Sequence, residues 1–165
     1  MEQYLADYLL KLPKQLASSS STINPRDEKI RLQLISPDDD QWRFIVDITN
    51  NQKKVFKISL HHQEDTMKSG LIRVDFNSSH RNPEEINPFV PAKLLPYAGR
   101  TFINEPHIHF HVQGYKDLVW AAPLDGYDGF KVKSIASHEQ YCGAIVEFTR
   151  YINLNGKFVI QQRLL

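Results

Sequence analysis

The sequence predicts an α+β fold: an antiparallel sheet of about six strands, covered by one helix near the N-terminus and one near the C-terminus. Two periodicities lead there. Apolar residues recur every second position through at least four short runs, which is the side-chain period of a β-strand. Two flanking segments carry apolar residues at three- and four-residue spacing instead, which is the signature of a helix with one buried face. Strands joined by turns, with the helices kept to the ends, point to an antiparallel sheet with helices on one face.

The elements follow in order. Residues 1–17 read as an amphipathic helix with Tyr4, Leu5, Tyr8, Leu9, Leu12 and Leu16 on one face, kinked or split at Pro13. Ser18 to Ser21 form a polar joint, too close to the start to separate two domains, so residues 1–165 are read as a single domain. Residues 29–35 alternate, with Ile30, Leu32 and Leu34 opposed to Arg31 and Gln33. Trp42, Phe44, Val46 and Ile48 alternate next, and a turn at Asn50, Asn51 and Gln52 leads into residues 55–60, where Phe56, Ile58 and Leu60 share a face. Residues 71–76 put Ile72, Val74 and Phe76 inward and Arg73 and Asp75 outward. A Pro- and Asn-rich stretch, 77–105, is too long for an ordinary connection and marks a functional or mobile loop. Residues 107–112 and 118–124 form a hairpin about a turn at Gly114. Ser137 caps the second helix, to residue 153, with Gln140 in the capping-box position and Ala144, Ile145, Phe148, Tyr151 and Ile152 as its buried stripe. Phe158, Val159 and Ile160 add a short edge strand.

Composition narrows the function classes. A chain of 165 residues has room for one domain with a real core. Twenty basic against nineteen acidic residues, a formal net charge of +1, offer no basic excess of the kind that marks nucleic-acid binders. The single cysteine, Cys142, excludes an intramolecular disulfide and a cysteine-rich zinc module. No apolar run reaches membrane-spanning length and no signal segment opens the chain. The expectation is a cytoplasmic protein with no membrane contact.

Function concentrates in the run Pro106-His107-Ile108-His109-Phe110-His111-Val112. On a strand, Ile108, Phe110 and Val112 face a core and the three imidazoles face the other way. Imidazole titrates near neutrality and serves as base, acid, nucleophile or metal ligand. The outer two histidines lie about 13 Å apart on a regular strand, so one metal ion cannot take all three. A pair such as His107 and His109, with a third ligand from His80, His61, His62, Asp75 or Glu105, can hold a divalent transition metal. Metal-free acid–base chemistry needs no cofactor and lets the imidazoles divide the roles. The bland alternatives are an ion pair between Arg73 and Asp75 on a solvated face, an ordinary turn at Asn82-Pro83, and a histidine face that binds a partner.

Two resemblances sharpen this. His107-Ile-His109-Phe-His111-Val, preceded by Ala98-Gly99-Arg100-Thr101, is similar to the motif of histidine triad nucleotide hydrolases and transferases, which implies His109 as nucleophile with His107 and His111 assisting. From about Leu71 onward, Arg73-Val-Asp75, His80-Arg81-Asn82-Pro83, Pro106-His107-Ile-His109 and Trp120-Ala121-Ala122-Pro123-Leu124 resemble a family of small bacterial and prophage proteins of unknown function, similar in outline to TumE-type toxins. That likeness implies a toxin-like enzyme that cleaves RNA, with an antitoxin-like partner. The site expected is Arg73 to grip a phosphate, Asp75 to orient a histidine, and His80, His107, His109 and His111 for proton transfer. The rival reading is a phage or mobile-element protein that binds and inhibits a host or competitor protein.

Overall fold

The computed structural model describes residues 1–18, 22–51, 57–156 and 158–161. In chain order these form α1 (Gln3–Lys11), β1 (Gln15–Leu16), β2 (Thr22–Ile23), β3 (Lys29–Ile35), β4 (Arg43–Asn51), β5 (Lys57–Glu64), β6 (Ser69–Phe76), β7 (His80–Arg81), β8 (Thr101–Phe102), β9 (His107–Phe110), β10 (Trp120–Pro123), α2 (His138–Tyr151) and β11 (Val159–Ile160). The α+β class holds. The main sheet has seven strands where about six were expected, in the order β1-β3-β4-β5-β6-β9-β10, and every pairing in it is antiparallel.

The seventh strand comes from the segment read as helix. Pro13 cannot continue α1, since it has no N–H to donate and its ring clashes with the preceding turn. The chain leaves the helix at Leu12 and returns as β1 alongside β3. The buried side of α1 also differs from the expected stripe. Ala6 and Leu9 are buried, whereas Tyr4 and Tyr8 are exposed, with the Tyr8 hydroxyl on Asp39. Helix α2 begins after Ser137, whose Oγ accepts the Gln140 N–H at 3.2 Å. The reciprocal bond of the capping box lands one residue early, on the Ala136 N–H at 2.7 Å. Its stripe is close to the expected one, with Ala144, Ile145, Phe148 and Ile152 buried. The strand near the C-terminus pairs in parallel with β2, outside the main sheet. Gln52 of the expected turn and Phe56 of the following run lie outside the described residues.

One face of the sheet is apolar. Phe44, Val46, Ile72, Val74, Ile108 and Phe110 join Ala6 and Leu9 of α1 and Ala144, Ile145 and Phe148 of α2 in one buried cluster. The other face carries the polar alternates. Cross-strand partners share a face, so the register draws a row across the sheet: Arg31 beside Asp47, then His61, Arg73 and His109. The strand read as ending at His61 and His62 runs on to Glu64, and His62 lies fully buried on the apolar side against Phe44. No helix among the described residues is long and apolar enough to cross a membrane.

Where α1 and α2 end, Lys14 is completely buried. Its Nζ donates to the carbonyls of Leu9 (2.8 Å), Leu10 (3.1 Å), Leu12 (2.8 Å) and Ile152 (3.0 Å). One ammonium thus serves orphan carbonyls at the C-terminal ends of both helices, where the helix dipole favours a cation. Burial pulls its pKa from 10.5 down to about 7. Lys14→Met is expected to lower unfolding free energy by roughly 2–4 kcal/mol in denaturant titrations, because several buried acceptors lose their donor together. The sign of the pH effect follows from the same shift. Between pH 7 and 10 the unfolded chain holds the proton that the folded chain has released, so this residue makes stability rise with pH across that window. Wild type should therefore gain stability over Lys14→Met from pH 7 to 9; a difference that does not change with pH would contradict this.

Candidate metal centre

Strands β6 and β9 are neighbours, with Arg73 opposite His109 and Asp75 opposite His107. This register brings four of the six expected site residues onto one patch. Oδ2 of Asp75 lies 3.2 Å from His109 Nε2 and 3.7 Å from His107 Nε2. Arg73 runs along the same patch, with Nε donating to Asp75 Oδ2 at 3.1 Å and Nη2 at 2.9 Å from His109 Nε2. His80, on the short strand β7 of the long loop, is the fifth member: its ring centre is 4.6 Å from that of His109 and 5.8 Å from that of His107. Phe102 stacks on His107 at 5.1 Å and closes that side.

His111 does not join them. Strand β9 ends at Phe110, and His111 Nε2 donates instead to the Met1 carbonyl at 2.9 Å, while its own carbonyl accepts from Gln3. The start of α1 captures the third histidine, so the run of three divides into a site pair and a structural tether.

Backbone carbonyls set the tautomers. A carbonyl only accepts, so the ring nitrogen facing it carries the proton. His107 Nδ1 donates to the Glu105 carbonyl at 2.6 Å and His109 Nδ1 to the Leu118 carbonyl at 2.8 Å. His80 Nε2 donates to the Val119 carbonyl at 2.8 Å. In the neutral rings of His107 and His109, Nε2 is left as a lone pair aimed at Asp75. His107 Nε2 and Asp75 Oδ1 are both buried without a hydrogen-bond partner. Such orphaned groups cost free energy, and they call for a ligand or a function.

Electrostatics agrees with this geometry. Burial pushes His109 down to about 4, against the opposing pull of Asp75, and burial also lowers His107. Both rings are neutral at pH 7. Burial would raise Asp75, but the positive charge of Arg73 beside it overcomes burial and holds the carboxyl well below the usual carboxylate range. His109 Nε2 therefore faces a donor and an acceptor at once. With the ring neutral, its lone pair goes to Arg73.

Two supports of this patch have no functional signature in the sequence. Asn82 was read as turn chemistry, yet it is buried and bridges the loop to the sheet edge: Nδ2 donates to the Tyr97 and Ala121 carbonyls at 2.9 and 2.8 Å, and Oδ1 accepts the Ala121 N–H at 2.9 Å. That clamp seats β7 and hence His80. The second support is the turn at 117–119. Asp117 receives the Gly70 N–H on both carboxylate oxygens, at 2.9 and 2.8 Å. Leu118, held at φ 50° in the left-handed region, presents its carbonyl to His109. A Cβ at Gly70 would come within 2.5 Å of the Leu118 side chain, so only glycine permits the approach.

Asp75, His107 and His109 form a buried group able to hold a metal ion, each offering one ligand atom, all within 4.8 Å of one another. The carbonyls of Glu105 and Leu118 suit that use, since a ligating histidine typically donates its other N–H to a carbonyl or carboxylate. The expected pair plus one distant ligand is thus present, with Asp75 in the third place. Glu105 contributes its carbonyl, with its carboxylate paired to Arg100 at 2.8 Å. His61 stands in the same row on β5, on the far side of Arg73 from His109, and His62 is on the opposite face.

Residues 1–154 match the model of a family of unknown function, DUF6978, and the chain belongs to that family. The match takes in the N-terminal half, which the sequence resemblance did not reach. No curated protein and no solved structure matches the chain.

Two outcomes are expected. Long-range nitrogen–proton NMR spectra at pH 7 should show His107 and His109 protonated on Nδ1 and His80 on Nε2; the opposite tautomer at His109 would contradict the carbonyl assignment. Gly70→Ala should displace Leu118, cost about 1–3 kcal/mol of stability and move the His109 Nδ1–H resonance.

Proposed function

We propose that this member of an uncharacterised family is a hydrolytic enzyme acting on phosphodiester bonds, with RNA as the substrate class and Arg73, Asp75, His80, His107 and His109 as its site. The observation that carries the reading is the convergence of two neutral imidazole lone pairs and one ionised carboxylate beside an arginine that reaches the surface. His107 and His109 are fully buried, whereas the Arg73 side chain is 31% exposed. A phosphate arriving from solvent meets the guanidinium first, and its planar fork of donors matches two phosphate oxygens.

The chemistry follows from those placements. The orphaned Nε2 of His107 is a base without a proton, held in orientation by the Glu105 carbonyl. It can take the proton from the 2′-hydroxyl of RNA as that oxygen bonds to phosphorus, while the bond to the 5′-oxygen breaks and that oxygen takes its proton from His80 or from water. Asp75 stands on the Nε2 side of both rings and balances the positive charge that develops when either takes a proton. His80, seated by the loop and packed edge-on to His109, adds a third proton carrier. The same donor set suits a divalent transition metal, whose charge would polarise the phosphate and lower the pKa of bound water. With His111 tied to the N-terminus, a triad mechanism using all three consecutive histidines loses a member. A cytoplasmic setting and an antitoxin-like partner covering the Arg73 face complete the proposal.

Labelled single-stranded RNA incubated with the purified protein should be cleaved, and His109→Ala should lower the rate by about 10²–10⁴-fold with an unchanged circular dichroism spectrum. A chelator lane separates the two chemistries: loss of cleavage favours the metal, persistence the imidazoles alone. Intact RNA in every lane would overturn the reading and turn the search to a protein target.

A further inference from the structure

Arg73 occupies a position that a metal ion would need. Its Nη2 lies on the His109 lone pair and its Nε on Asp75 Oδ2, so one guanidinium touches two of the three ligand groups. The third, His107 Nε2, has no partner. We infer that Arg73 is a displaceable placeholder for a divalent transition-metal ion, competing with it for His109 Nε2 and the Asp75 carboxylate. The inference rests on the proposed hydrolytic site and deepens it by stating how that site is loaded.

Geometry supports the exchange. At metal–ligand bonds of roughly 2.0–2.1 Å, tetrahedral ligands stand about 3.4 Å apart. Asp75 Oδ2 already lies 3.2 Å from His109 Nε2 and 3.7 Å from His107 Nε2. The carboxylate is therefore close to coordinating distance from each imidazole before any ion arrives, and all three ligand atoms lie within 4.8 Å of one another. The two imidazoles approach through lone pairs because their protons are committed to the Glu105 and Leu118 carbonyls. Two neutral imidazoles and one carboxylate suit zinc, iron(II) or manganese(II) and leave coordination positions open.

What blocks the ion is the arginine. A guanidinium cannot stay 2.9 Å from a nitrogen that has given its lone pair to a cation, and two positive charges so close repel. Arg73 can leave without unfolding anything, since its side chain is part-exposed. In the metal-free protein it supplies the positive charge that the buried Asp75 carboxylate requires. Once displaced, it turns its whole fork outward, toward the side from which a phosphate approaches. Loading the ion would thus free the anion receptor.

The test is direct binding of cobalt(II), with its visible absorption bands and calorimetry as readouts, and zinc(II) as competitor. Four forms are compared: wild type, Arg73→Met, Arg73→Lys and His107→Ala. Lysine keeps a positive charge on the face but lacks the fork that spans both ligand groups. Competition predicts that Arg73→Met and Arg73→Lys both bind cobalt about tenfold or more tightly than wild type, as expected if the arginine leaves the site open about a tenth of the time or less, and that His107→Ala loses the tetrahedral bands. Tightening in Arg73→Met alone would show that only through-space charge matters and would overturn the placeholder. Equal affinity in wild type and both Arg73 variants would also overturn it, while leaving the metal reading standing. No binding in any form would remove both, and RNA cleavage that persists with chelator would still leave the hydrolytic reading in place.

Discussion

The register between β6 and β9 is the constraint on which the site depends. Side chains alternate with a period of two, so a slip of one residue would carry Arg73 and Asp75 to the apolar side and bring Ile72 and Val74 to face the histidines. The core forbids that slip, because Ile72, Val74, Ile108 and Phe110 pack in the same buried cluster. Packing on one face therefore locates the chemistry on the other. The patch is specified twice, once by its own charges and once by the hydrophobic residues interleaved with them.

Much of this was legible because alternation is a local signal. The β3, β4, β6 and β9 strands, the α2 cap and the face that collects Arg73, Asp75, His107 and His109 all follow from residue spacing. What escaped depends on contacts distant in sequence. Residues 15 and 16 look helical by periodicity, but Pro13 ends α1 and the edge of β3 offers hydrogen bonds. His111 looks equivalent to its neighbours until the Met1 carbonyl meets it from the far end of the chain. Lys14 reads as an ordinary charged residue near a helix end, and only the approach of Ile152 makes it an interior tie. The carbonyls of Glu105, Leu118 and Val119 leave no trace in side-chain sequence at all, although they decide which imidazole nitrogens are free.

The site is also a study in opposed demands on one atom. His109 Nε2 stands between a carboxylate that would accept a proton from it and a guanidinium that would donate one to it. Burial keeps the imidazole neutral, so the arginine wins, and the carboxylate turns to the arginine for its own compensation. A cluster satisfied in this borrowed way is satisfied only in part, since His107 Nε2 keeps no partner.

The Asn82 clamp reaches beyond the seating of His80. Strand β10 is the last strand of the main sheet, and a free edge strand offers unpaired N–H and C=O groups to any extended chain that passes. The Asn82 carboxamide takes both backbone groups of Ala121, imitating one residue of a further strand with a single side chain. The long loop thus works as an edge guard: it closes part of the open margin against strand addition by another molecule, so the segment that roofs the polar face also helps keep the sheet from growing.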